Sequence, residues 1–184
     1  MKKYYKQFLH CAYLIILIGS FAFEINPSEA KISGQLVQNT ELSIDDIEKL
    51  LKKNLDIEQS VIYRHAPRGL IVSINSSVFF KDGDNELKEN SEQILDKIGK
   101  LLKSIDKPCL IEGHAKYNLR ENYGYTYNWE IATVRAEKIV NYLIKKTRVD
   151  PEKIRAIGFG EIVPDKNFDK EKSRIDFVIF NYQQ

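Results

Sequence analysis

Two cysteines, one tryptophan and three histidines are few for a chain of 184 residues, and their placement excludes more than their number does. His10 lies in an N-terminal apolar stretch, His65 just ahead of Pro67, and His114 at the end of an apolar run, so no two share metal-ligand spacing. Cys11 belongs to the same N-terminal stretch, which leaves Cys109 without an internal disulfide partner and any zinc site dependent on scattered carboxylates. No nucleophile elbow or phosphate-cradling loop is present; Gly158-Phe159-Gly160 lacks the third glycine and the following helix of a dinucleotide site. No metal, no cofactor and no enzymatic activity are therefore expected. Charge of one sign is also lacking: 28 basic residues interleave with 26 acidic ones for a net +2, so nucleic acid is not an expected partner.

A long apolar run is missing too. Lys2, Lys3 and Lys6 precede an apolar segment from Cys11 to Phe23, followed by the polar stretch Glu24 to Glu29, the layout of an export signal. Its 13 residues cover roughly 20 Å of a hydrocarbon core about 30 Å thick. Ser28-Glu29-Ala30 offers small residues where a signal peptidase reads, favouring cleavage before Lys31. Residues 1–30 are read as a signal peptide or a short membrane anchor. Residues 31–66 are read as a connector with a helix, and 67–184 as the single globular domain that this length allows.

Patterning gives the elements. Ile47, Leu50 and Leu51 recur at helical spacing, with Ser43 placed to cap that helix and Lys52-Lys53 suited to its end. Leu70 to Ile74 is a β-branched run introduced by the turn residues Pro67-Arg68-Gly69. After a turn at Lys81 to Asn85, Leu87, Ile94, Leu95, Ile98 and Leu102 form an amphipathic stripe, and Cys109 to Ile111 reads as a buried strand. Ala132, Ala136, Ile139, Val140 and Leu143 form a second helix whose alanines permit close approach to a sheet. The turn Asp150-Pro151-Glu152 then leads to strands at Ile154 to Ile157 and Ile175 to Phe180. The order is β-α-β-α-β-β, an α+β sandwich with helices packed on one face of a mixed sheet, in which the helical crossovers set their flanking strands parallel.

Four patches in order carry a resemblance: Phe79-Phe80 with Leu87; Gly113-His114-Ala115-Lys116; Asn128-Trp129-Glu130-Ile131 with Arg135-Ala136; and Asp150 to Ile154 with Gly158-Phe159-Gly160-Glu161 and Pro164. Together they resemble the OmpA-like C-terminal domain (OmpA/MotB/Pal), and the Asn-Trp-Glu spelling is most similar to the MotB branch. The resemblance implies a periplasmic protein of a Gram-negative envelope that binds peptidoglycan, with Arg135, Asn128, His114, Arg174 and the residue at Lys116 as its ligand site. It implies a diaminopimelate stem peptide whose side-chain carboxylate would be gripped by the two parallel hydrogen bonds of an arginine such as Arg135. The other reading of Arg135 is an exposed helix residue neutralised by Glu130 or Glu137.

Two departures matter. Lys116 stands where the family has an acid, and an ammonium facing the ligand's own at about 4 Å repels by roughly 1 kcal/mol in water and more in a partly buried site. Either Glu121 or Glu112 substitutes, or the ligand differs, or binding has been given up. The family's Asn-Arg-Arg is Lys172-Ser173-Arg174, keeping only the second arginine. The chain is thus expected to anchor an envelope complex to the wall or, alternatively, to be a structural subunit of an envelope machine such as a secretion apparatus, its fold kept for protein contacts. A homodimer is a further expectation. Motor torque is disfavoured, because the segment from Phe8 to Phe23 carries no Asp or Glu. Tyr117, Tyr123, Tyr125, Tyr127 and Trp129 crowd one loop and its exit; Trp129 is expected to pack beneath it, while the tyrosines suit either its edge or an interface.

Overall fold

The computed structural model describes residues 42–81, 84–115, 127–160 and 173–181, all within one compact unit spanning 41–184. The N-terminal segment, Lys116, the Glu121 region and the tyrosines at 117, 123 and 125 lie outside the described residues.

Helix α1 (Ile44–Asn54) starts where Ser43 accepts a hydrogen bond from the Asp46 amide at 3.2 Å, and it buries Ile47 and Leu51. The next strand is one the sequence reading placed in the connector: β1 (Val61–Ala66) pairs antiparallel with β2 (Gly69–Asn75) through the Pro67-Arg68 turn. Its apolar residues are interrupted by Arg64 and His65, which blurs the alternation. As an edge strand it tolerates them because only one of its sides is paired. Helix α2 (Ser91–Ile105) starts four residues after Leu87, which instead makes a bridge to Phe80, and it ends at Asp106 in the left-handed conformation. Strand β3 (Cys109–His114), helix α3 (Asn128–Tyr142) with a π turn at Leu143–Thr147, β4 (Ile154–Gly160) and β5 (Arg174–Phe180) complete the order.

The five strands form one mixed sheet in the order β1-β2-β5-β3-β4. β3 and β4 are parallel neighbours; β5 lies antiparallel between β2 and β3, so those two run parallel without touching. The α+β architecture is the expected one. On the helix side, alternate residues Leu70, Val72, Ile74, Cys109, Ile111, Ile175, Phe177 and Ile179 join the helices in one apolar core. Phe79 and Phe80 are fully buried in it, each contributing about 1.5–3 kcal/mol. Cys109 is buried as well, and burial together with the Glu112 charge pushes its thiol pKa up.

Candidate functional site

Gly113 explains the first letter of its motif. A Cβ there would stand 2.1 Å from the Ala132 carbonyl oxygen of α3, so only glycine lets that helix sit so low on the sheet. Ala132 and Ala136 are buried against it, as expected from their size. The close packing delivers Asn128 and Arg135 to the buried side of α3, with Arg135 reaching the segment that follows β2.

Arg135 is only 3% exposed. Its Nε (2.9 Å) and Nη2 (2.5 Å) both donate to the main-chain carbonyl of Asp84, Nη1 reaches the Ser76 hydroxyl at 3.5 Å, and the guanidinium lies 5.1 Å from the centre of the Phe80 ring. Arg135 is a buried residue, not an exposed helix residue. Lys138, one position from the next turn, adds a hydrogen bond to Asn85 at 3.0 Å and an ion pair with Glu86. Two cations of α3 thus hold the 84–86 turn. Asp84 in turn accepts from the amides of Glu86 and Asn85, hydrogen bonds that lower its carboxyl pKa. Next to this turn, a cavity of about 660 Å³ opens between Lys81, Asp84, Glu86, Leu87 and the start of α2.

His114 and Arg174 do not join this group. Alternation along β3 and β5 puts them on the face of the sheet opposite the helices, with Glu112 and Asp176. All four are buried. The Arg174 Nε lies 3.1 Å from both Asp176 oxygens; the His114 Nε2 lies 3.3 Å from Asp176 and 3.8 Å from Glu112; and Arg68 grips Glu112 with two bonds of 2.7 and 3.0 Å. The imidazole also stacks on Phe159 with centroids 5.3 Å apart. Burial alone would lower the His114 pKa, but the neighbouring carboxylates of Asp176 and Glu112 outweigh it and leave it raised. Burial alone would raise Asp176, yet the adjacent His114 imidazole and the Arg174 charge bring it below its ordinary value. For Glu112, the nearby His114 and the Arg68 hydrogen bonds likewise overcome burial, and its pKa is lowered. Glu112 is committed to Arg68 on this face.

Glu112, His114 and Asp176 present donor atoms within 4.8 Å of one another, the spacing of a metal site. The charges argue otherwise: two guanidiniums already balance the two carboxylates, and a divalent ion would add two uncompensated positive charges to a buried cluster. The arrangement is a structural salt network. Sequence reasoning missed Asp176 and Arg68 and named Glu112 only as a possible ligand acid, although charges at every second position inside apolar strands, Glu112/His114 and Arg174/Asp176, were the network's legible trace.

Trp129 is 52% exposed and its main chain packs against Gly160 of β4, while the loop under which it was expected to sit lies outside the described residues.

The profile of the OmpA family matches residues 79–176. Two Bacillus subtilis proteins are similar: the uncharacterized protein YtxE, 26% identical over 152 residues, and Motility protein B, 27% identical over 120 residues. These matches cover 77% and 64% of this chain but 63% and 45% of the relatives, so the chain spans about half to two thirds of their lengths. Among solved structures, a MotB-like protein from Desulfovibrio vulgaris aligns with a TM-score of 0.63 at 18% identity, over 74% of this chain and 90% of that one. The cell wall anchor of the type VI secretion system from Pseudomonas aeruginosa aligns at 0.61 and 18%, over 73% and 97%. The chain belongs to the OmpA family, near its MotB branch.

Proposed function

We propose that this chain is a non-enzymatic wall-binding protein on the outer side of the membrane, whose OmpA-like domain holds the peptidoglycan stem peptide and anchors an envelope complex. Family membership supports the general role, and Arg135 carries the specific one. Its guanidinium plane is fixed by the Asp84 carbonyl and the Phe80 ring, and Asn128 lies on the same buried side of α3. A guanidinium oriented before binding loses little entropy when it grips a carboxylate.

The opposing observations favour a structural subunit kept for protein contacts: Lys116 replaces the family acid, Arg135 is nearly enclosed, and His114 and Arg174 belong to a network on the other face. Co-sedimentation with diaminopimelate-type peptidoglycan separates the two. Native protein should pellet, and Arg135→Lys, which keeps the charge but loses the two-pronged grip, should stay in the supernatant while circular dichroism shows it still folded at the assay temperature, its melting temperature lowered by the lost Asp84 contacts. Equal pelleting of both, or of neither, would remove Arg135 from the site and favour the structural subunit.

A further inference from the structure

Phe79, Phe80 and Phe177 are buried in the core, whereas Tyr127 and Trp129 are 54% and 52% exposed. Single exposed apolar residues are ordinary. These two, however, form a pair, with ring planes within 14° of parallel and centroids 6.3 Å apart.

The backbone beneath them is fixed. The Tyr127 amide donates to the Glu130 carboxylate at 2.9 Å, and the Tyr127 carbonyl accepts from the Glu130 amide at 3.1 Å. The Trp129 carbonyl accepts from the Thr133 hydroxyl at 2.7 Å. Gly160 adopts φ +60°, and a Cβ there would approach the Trp129 nitrogen to 2.8 Å, so β4 presses directly on the Trp129 main chain. A rigid first turn therefore presents two rings to solvent, flanking the buried Asn128 on either side in sequence.

We propose that Tyr127 and Trp129 form an aromatic platform for the N-acetylated pyranose rings of the wall glycan. The inference rests on the wall-binding reading above, because a stem peptide held near Asn128 brings its glycan strand within reach. A pyranose presents a flat face of C–H groups with slight positive charge, which meets the negative face of an aromatic ring, while its hydroxyl and amide groups find the polar rims of tyrosine and indole. Rigid rings also lose little rotamer entropy on binding.

Trp129 is the single tryptophan of the chain, so its emission reports on the platform directly. The full chain, held in non-ionic detergent, is titrated with the N-acetylglucosamine hexamer, with tryptophan excited selectively. The expected result is a saturable blue shift, retained in Tyr127→Phe and weakened at least tenfold in Tyr127→Ala. No shift at millimolar hexamer overturns the platform, as does a shift that follows protein concentration without saccharide, which would mark the pair as a contact between copies. Calorimetry with a free diaminopimelate stem peptide tests the underlying reading separately. Peptide binding without a hexamer response ends the platform and leaves the anchor, and a hexamer response without peptide binding does the reverse.

Discussion

Along β2, β5 and β3, successive residues belong to two different interiors. Toward the helices, Val72, Phe177 and Ile111 share one apolar core; one residue on, Ser73, Asp176 and Glu112 sit on the opposite face, equally buried and, for the two acids, charged. The apolar side is held by contacts that have no direction, so a missing methyl group costs in proportion to its size. The opposite side is held by five groups, Arg68, Glu112, His114, Arg174 and Asp176, each of which needs its counterpart. Loss of one partner strands another charge away from water. Adjacent positions of one strand thus differ in kind: one side tolerates changes of size and the other tolerates no change of charge.

Substitution breaks the comparison most sharply at Asp176. Asp176→Asn preserves shape but leaves Arg174 facing a neutral group, and should cost about 4 kcal/mol in denaturant unfolding. Its apolar counterpart Ile111→Val, which does remove a methyl, should cost only about 1 kcal/mol. Similar losses would show that the network contributes shape alone.

A smaller effect should appear in the pH dependence. His114 titrates above its ordinary 6.5 in the folded chain, so its contribution is complete below 6.5 and is lost as pH rises through the raised value. Asp176 and Glu112 titrate below their ordinary 3.8 and 4.5, so their contribution is present above those values and is lost as pH falls through the lowered ones. Melting temperatures of His114→Gln measured between about pH 5 and 9 should lack the wild-type decline on the alkaline side. Persistence of the decline in the variant would assign it to another group. The smallest effect is expected at Ile62, on the same face as the network but 44% exposed at the edge strand. Ile62→Lys should change stability by no more than about 0.5 kcal/mol, and a larger loss would mean that the interior of this face extends to β1.

The helices and the central strands could be read from periodicity, because apolar spacing and capping residues such as Ser43 act over a few positions of chain. β1 could not, since Arg64 and His65 interrupt its pattern and only its pairing with β2 makes it a strand. The site shows the same limit. Arg135 and Asn128 were found as residues of one helix, and the structure keeps them together. His114 and Arg174 were grouped with them through resemblance, and strand alternation turns them to the other side of the sheet.

By itself, then, the sequence determined every named element except β1, the order of those elements and the family, because these depend on local spacing and on residue identity at matched positions. The tertiary structure alone decided which charges meet. Whether Glu112 faces an incoming ligand or Arg68, and whether Arg135 faces Glu130 or the Asp84 carbonyl, depends on strand register and on a helix brought within reach by Gly113. No pattern along the chain encodes those distances.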